Sequence, residues 1–419
     1  MKVGGYPWKG VFAGCVTVAL VVGCAGDQHW RSSMEKGHEA LRAGQYARAE
    51  EEFSKARDEA KTIDPKGKRL ADSLSQLGEV KRDLGQYAKA ESLFQEALGI
   101  RESVFGPNHA ETASSLTDLG ELYRVQRLYT QAEAFHQRAR EIREKVYGTD
   151  HSKTAESLNN IAVTYQDQGR LADAEPLLQR ALGILEKNPG PEHSLTAITR
   201  DNLAQLYQAQ GQNERAMPLY QRALAIHEKA FGPEHPIVGR NLINLAGTYK
   251  AQNQYAQAEA LYLRAIRIFK KSLGPDNLEL ANALSHLAQL YEFQGLYSQA
   301  EPLYQQALII RERSLGAEHP QLAIELNNLA SLYQSQNRLD QSEEVYRRAL
   351  GIFEKSAGQE RQGYAKTLKN YASLLRRKQR TGEAERLEER AKSVLKRLSL
   401  ENQNRGSTAG DLPQLLPIP

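Results

Sequence analysis

Residues 195–230 read LTAITRDNLAQLYQAQGQNERAMPLYQRALAIHEKA, and this stretch decides the fold. Its apolar residues fall at Leu203, Leu206 and Tyr207, then at Leu219, Ala223 and Ile226. Steps of three and four residues are the period of a helix, whereas a half-buried strand alternates every second residue. Two helices are therefore expected: Leu195 to Gln210 (helix A) and Glu214 to Ala230 (helix B). Gly211 stands where helix A must end, in keeping with the preference for glycine just past a helix C-terminus. Pro218, like Pro176 and Pro302 in related stretches, lies near the start of helix B. Amide hydrogens of a first turn have no intrahelical acceptor, so proline is expected to cost little there.

Outward from this stretch, the same unit recurs along the chain. Aligned on Gly-x-Tyr-x-x-Ala-Glu, the anchor alanine falls at Ala49, Ala90, Ala132, Ala174, Ala216, Ala258, Ala300 and Ala384, with Ser342 in the remaining slot. The spacing is 41 once and 42 thereafter. Seven residues on, every copy carries alanine, from Ala56 to Ala391; twelve residues back stands a glycine or alanine, from Gly37 to Ala372. Small residues at these places let the two helices approach closely as an antiparallel pair.

The pattern resembles the tetratricopeptide repeat, through the small residue of helix A, the tyrosine at its end and the two alanines of helix B. The 42-residue period, Gly106-Pro107-Asn108-His109, Gly232-Pro233-Glu234-His235-Pro236 and the Asn-Asn-Leu-Ala at Asn327 to Ala330 are similar to the kinesin light chain and nephrocystin subtype. The resemblance covers about residues 34–398. It implies an all-α fold: a right-handed superhelical solenoid of about nine helical hairpins, with helix A lining the concave side. In such a stack each unit buries its apolar face only against its neighbours. The first unit, with Ala40 for the tyrosine, and the last, with Leu375, depart as capping repeats do.

Two residues before the small position of helix A runs a second ladder: Gln76, Asp118, Asn160, Asn202, Asn244, His286, Asn328 and Asn370. A buried asparagine with no partner is costly, so five of them point to an exposed face. An amide both donates and accepts, and can pair with the backbone of an extended peptide whatever its sequence. The resemblance implies the same role, since in that family these asparagines contact bound peptide. The expected peptide-binding residues are thus Asn160, Asn202, Asn244, Asn328 and Asn370, with Asp118, His286 and Gln76 as departures that tune selectivity. Arg240, Lys250, Gln205, Gln289 and Glu292 are further candidates nearby. A competing reading has the asparagines bond between adjacent A helices and hold the stack together; the two are compatible.

His109, His151, His193, His235 and His319 recur at one repeat position. One histidine per repeat places them about 10 Å apart, too far for a zinc ion whose ligands lie within ~2.1 Å. They are expected in the turn between repeats, capping the next helix, and no metal or other cofactor is expected. Tyr123, Tyr165, Tyr207, Tyr249, Tyr291 and Tyr333 share the core register of helix A and read as packing. The chain has two cysteines, which excludes a multi-disulfide scaffold and any zinc site built on cysteine pairs. Its net charge of +4 on 55 basic and 51 acidic residues implies no nucleic-acid partner. Residues 361–397 hold 12 Lys or Arg against 4 Glu, densest at Arg376, Arg377, Lys378 and Arg380, and read as a solvated cap face. No motif of a metalloprotease, serine hydrolase, phosphate-binding loop or dinucleotide fold occurs, so no catalytic residues are assigned.

The N-terminus reads as an address. Val11 to Val22 is an apolar run of 12 residues, shorter than the roughly 20 that span a bilayer, and fits the h-region of an export signal. Its end, Leu20-Val21-Val22-Gly23-Cys24, resembles the bacterial lipobox, which implies cleavage before Cys24 and its acylation, palmitate included. Ala25 rather than Asp after the cysteine favours the outer membrane, facing the periplasm. The expected organisation is a signal peptide at 1–23, a lipidated linker at 24–31, the repeat solenoid at 32–398 and a disordered tail at 399–419. The function expected is a membrane-anchored scaffold that binds a peptide or protein partner in its groove, in envelope complex assembly. The alternatives are a cytoplasmic scaffold with an uncleaved N-terminus and, remotely, a glycan-acting enzyme.

Overall fold

The structure, a computed structural model, describes residues 27–41, 43, 45–356 and 361–407. The expected signal segment, Cys24 and the end of the tail lie outside these residues. Among the described residues every regular element is a helix: α1 (27–41), α2 (Tyr46–Ile63), α3 (Lys68–Asp83), α4 (Tyr87–Phe105), α5 (Ala110–Val125), α6 (Tyr129–Tyr147), α7 (Ser152–Asp167), α8 (Leu171–Lys187), α9 (Ser194–Ala209), α10 (Asn213–Phe231), α11 (Pro236–Ala251), α12 (Tyr255–Ser272), α13 (Leu278–Phe293), α14 (Tyr297–Leu315), α15 (Pro320–Ser335), α16 (Leu339–Lys355), α17 (Arg361–Arg377) and α18 (Thr381–Ser407). Odd-numbered helices are the A helices and even-numbered ones the B helices of the repeat. No described helix is long and apolar enough to cross a membrane.

The chain divides into two compact units, residues 1–123 with 135–146 and residues 124–134 with 147–419. In the first, a ring of helix B sits directly on a glycine of helix A. A Cβ on Gly37 would stand 2.5 Å from Phe53, one on Gly78 2.5 Å from Phe94, and one on Gly120 2.5 Å from the His136 ring. In the second unit the helix A position is alanine, and Leu178, Tyr220, Tyr262, Tyr304 and Tyr346 fill the facing place, all buried. Burying each such side chain is worth roughly 1.5–3 kcal/mol.

Both turns are set by local geometry. Between A and B one residue takes a left-handed conformation: Gly85, Gly169, Gly211 and Gly295, but also Arg127, Asn253, Asn337 and Gln379. The next amide then bonds back to the carbonyl five residues earlier, as Gln212 does to Tyr207 at 2.8 Å, which closes the helix end. Between B and A, a glycine such as Gly232 (φ 87°) ends helix B. The expected histidine caps are present. The Nδ1 atoms of His109, His151, His193, His235 and His319 accept from the amide two residues on, at 3.1–3.3 Å, and Asn277 does the same at 2.8 Å.

Three readings are corrected. Residues 27–31, taken as linker, belong to α1: Trp30 donates from Nε1 to Ser73 at 2.9 Å, and Asp27 pairs with Arg69 at 2.6 Å. At the other end α18 continues to Ser407, into the stretch taken as tail. Pro176, Pro218 and Pro302 each occupy the sixth position of their helix, beyond the four free amides of the first turn. Each therefore removes one main-chain hydrogen bond, to the carbonyls of Ala172, Glu214 and Ser298 respectively.

Candidate functional site

In the second unit the ladder lies on one face of the A helices. Asn160, Asn202, Asn244, Asn328 and Asn370 are half-buried and His286 is exposed. The asparagines are not sealed between hairpins, yet they divide into two groups. Asn202 donates to Asn159 Oδ1 at 2.9 Å and Asn370 to Asn327 Oδ1 at 3.0 Å, each crossing to the preceding A helix. Asn328 accepts a long bond, 3.5 Å, from Asn327. The side chains of Asn160 and Asn244 have no hydrogen bond to any described residue; only their carbonyls are engaged, by Thr164 and Thr248. The reading in which the asparagines bond between adjacent A helices thus holds at Asn202 and Asn370.

In the first unit the two departures are engaged within it. Gln76 meets His38 at 2.9 Å and Glu79 at 3.4 Å. Asp118 accepts from Ser75 at 3.1 Å, with Arg101 4.0 Å away. Burial pushes the Asp118 carboxyl up, against the pull of Arg101, and burial with Asp118 nearby pushes Glu79 up to about 7.

The neighbouring candidates lie on α9, α11 and α13 of the second unit. Gln205 and Arg240 are exposed, and Arg240 reaches Glu279 at 3.6 Å. Gln289, Lys250 and Glu292 are half-buried. Glu292 accepts from Tyr304 at 2.8 Å and from Ser331 at 3.3 Å.

The tyrosine ladder packs as expected, with Tyr123, Tyr165, Tyr207, Tyr291 and Tyr333 buried and Tyr249 half-buried. Its hydroxyls do more than pack. Tyr165 donates to Glu133 at 2.6 Å, Tyr207 to Glu175 at 3.1 Å and Tyr291 to Glu259 at 2.6 Å, which are the glutamates of the Ala-Glu phrase one repeat earlier. Arg170, Arg215 and Arg338 lie over Tyr165, Tyr207 and Tyr333 at 3.9, 3.8 and 4.1 Å, so Tyr165 and Tyr207 are each held by an acid at the hydroxyl and a cation on the ring face. At Tyr249 the acid position is Met217, and Gln221 donates to the hydroxyl instead.

A buried polar seam, absent from the sequence reading, joins consecutive repeats fourteen residues apart. Arg311 meets Glu325 at 3.1 Å, Arg101 meets Ser115, and His227 meets Asn241, whose amide continues to Asp201. Burial pushes the Asp201 carboxyl up to about 8 and the His227 imidazole down, favouring the neutral form of each. Its signal in the sequence is paired change at a fixed interval: where Phe269 replaces the basic residue, Ala283 faces it.

The basic stretch is a solvated face, with Arg376 and Arg377 exposed, and its densest part is also ion-paired. Arg376 grips Glu388 with two bonds of 2.9 Å, Arg377 donates to the Gln334 carbonyl at 2.7 Å, and Lys378 and Arg380 converge on Glu343 at 2.6 and 2.7 Å. Burial works against the Glu343 carboxylate, but Lys378 and Arg380 outweigh it and hold its pKa at about 2.

The tetratricopeptide repeat family model matches at residues 37–103, 69–127, 117–187, 154–229, 195–271, 244–313, 279–355 and 324–397. No curated protein sequence matches the chain. Among solved structures it is similar to BtubC (BKLC) from P. vanneervenii, with 26% identity over 56% of this chain and 91% of that one, and a TM-score of 0.43. It is similar to the apo form of the quorum sensor NprR from B. thuringiensis, with 16% identity, 87% and 98% coverage, and a TM-score of 0.58. A Rap protein complexed with Competence and Sporulation Factor matches at 16% identity, 80% and 99% coverage, and a TM-score of 0.52.

Proposed function

Because the chain belongs to the tetratricopeptide repeat family, we propose that it binds an extended segment of another polypeptide along the A-helix face of its second unit. The carrying observation is the pair of half-buried amides, Asn160 and Asn244, that make no side-chain bond within the described protein. An unengaged amide beside a partly dehydrated surface gains a donor and an acceptor when a peptide backbone arrives. The chain acts as a scaffold rather than an enzyme, and a lipid on Cys24 holds it at a membrane of the bacterial envelope, with the outer membrane facing the periplasm as its place. Tethering then raises the local concentration of the partner at that surface, which suits assembly of an envelope complex. The Rap structure, which holds Competence and Sporulation Factor on a similar fold, is in keeping with this reading.

A displayed library of random decapeptides tests the groove. The wild-type chain is expected to enrich binders, and the triple variant Asn160→Ala, Asn244→Ala, Asn328→Ala to lose them while keeping its helical circular dichroism. Equal enrichment by both proteins overturns the reading.

A further inference from the structure

The turn between α13 and α14 carries side chains that its counterparts lack. Phe293 ends α13 with 66% of its surface exposed, the most of any large apolar side chain among the described residues, and Leu296, just before α14, is 40% exposed. In the other repeats of the second unit the residues in register with Phe293 are Asp167, Ala209, Ala251, Ser335 and Arg377. Those in register with Leu296 are Arg170, Gln212, Gln254, Arg338 and Arg380. The same hairpin closes with small or polar residues at both places, so folding does not call for either apolar side chain.

The patch continues onto the preceding turn. The Phe293 ring lies 5.7 Å from that of Tyr255, and Tyr255 and Tyr297 are half-buried against the core beneath. Both turns are free of charge. Residues 251–257 (AQNQYAQ) and 293–299 (FQGLYSQ) contain no Asp, Glu, Lys, Arg or His, whereas the turns at 83–89, 125–131, 167–173, 209–215, 335–341 and 377–383 each contain at least one. Around the apolar side chains stand five glutamines, Gln252, Gln254, Gln257, Gln294 and Gln299, all but Gln252 exposed. An anionic bilayer surface is met by cations, and these two turns offer none. A strongly charged partner would likewise find no countercharge here. What the patch does complement is itself: apolar side chains, with amides that both donate and accept.

We propose that this edge of the second unit is the contact between two copies of the chain, related by a two-fold axis that passes between the α11–α12 and α13–α14 turns. The proposal goes beyond the groove reading and does not depend on it. In such a contact each copy offers the same residues, so the 251–257 turn of one copy faces the 293–299 turn of the other. Phe293, Leu296, Tyr255 and Tyr297 form its apolar centre, and the glutamine amides pair at the rim. No charge has to leave water at that centre, which spares the desolvation cost of a buried ion. The same symmetry sets the flanking turns against each other with opposite sign. The 167–173 turn, with Asp167, Arg170 and Asp173, carries a net −1, and it faces the 377–383 turn, where Arg377, Lys378, Arg380 and Glu383 give a net +2. Complementary flanks of this kind favour one register of association over others.

Photo-crosslinking of the full chain, in the cells that produce it, tests the contact, with p-benzoylphenylalanine in place of Phe293. Irradiation is expected to give a product of twice the chain mass, whose linked peptides join position 293 to residues 251–257 or 293–299 of a second copy. Absence of that product, or linkage only to lipid, to another protein or to other parts of a second copy, overturns the proposal. Sedimentation equilibrium of the detergent-extracted chain gives an independent reading. A reversible monomer–dimer equilibrium is expected. The double variant Phe293→Ser, Leu296→Arg copies Ser335 and Arg338 of the next repeat, so it keeps residues with which the hairpin already folds. It is expected to raise the dissociation constant about tenfold or more, with unchanged circular dichroism. A monomer at every concentration, or a dissociation constant that the double variant leaves unchanged, overturns the contact.

Discussion

At the scale of single residues, the turns and caps carry the sharpest expectations. Gln379 holds a left-handed conformation that Gly85, Gly169, Gly211 and Gly295 adopt freely at the same place. A side chain there costs about 1–2 kcal/mol, partly offset by the greater freedom of glycine in the unfolded chain. Gln379→Gly is therefore expected to stabilise by up to about 1 kcal/mol, read from the urea midpoint. His319 caps α15 through a neutral Nδ1, and burial with Arg311 nearby pushes its imidazole down. A depressed histidine contributes stability that is present above the ordinary value of 6.5 and lost as pH falls through the folded value. His319→Asn, which copies Asn277, should match the wild type at pH 7 and melt at a higher temperature than it at pH 5. Asp201 works in the opposite direction. Its carboxyl is raised from 3.8 to about 8, so its contribution is full below 3.8 and is lost as pH rises through 8. Asp201→Asn is expected to gain melting temperature relative to the wild type between pH 5 and pH 9; parallel curves would refute this. The capping role of the histidines was legible in the sequence, because their spacing alone places them at turns. Asp201 was not, since its partners Asn241 and His227 stand 40 and 26 residues away and none belongs to a recurring phrase.

At the scale of helices, the hairpin rests on close approach. Gly78→Val is expected to force its methyls into the Phe94 ring and destabilise by roughly 1–3 kcal/mol. The last hairpin depends on one acid as well. Glu343→Gln removes the carboxylate on which Lys378 and Arg380 converge, for a loss of roughly 1–3 kcal/mol at pH 7. The sign follows from its low pKa: this stability is present above the ordinary carboxylate value of 4.5 and fades as pH falls towards 2, so the variant and the wild type should converge in acid. Periodicity located the helices to within a few residues, but that margin was enough to mislead on proline. Pro302 looked to lie in the free-amide turn and sits past it, because α14 starts at Tyr297. The tyrosine ladder was legible as core while its bonds to Glu133, Glu175 and Glu259 were not: a glutamate after the anchor alanine reads as a solvated charge until the preceding repeat is folded beside it.

At the scale of the molecule, the all-α repeat architecture was legible because the same phrase is written along nearly the whole chain, and an error in one copy is corrected by the others. The ladder was legible as a face but not as two kinds of rung, since the partners of Asn202 and Asn370 are the adjacent Asn159 and Asn327 of earlier copies, which identical spacing cannot distinguish. The proposed anchor belongs to this scale too. Intact mass of the cell-derived protein is expected to lack residues 1–23 and to carry acyl chains, and Cys24→Ser to abolish both; a product retaining Met1 would refute it.

The polar seams have a consequence for the order of the copies. Arg311 fits Glu325 and His227 fits Asn241, while Phe269 fits Ala283. Permuting two cassettes within the second unit would set a guanidinium against a methyl, or strand a carboxylate opposite a phenyl ring. The joints are keyed, so a chain that looks like one tile laid repeatedly tolerates only its own sequence of tiles.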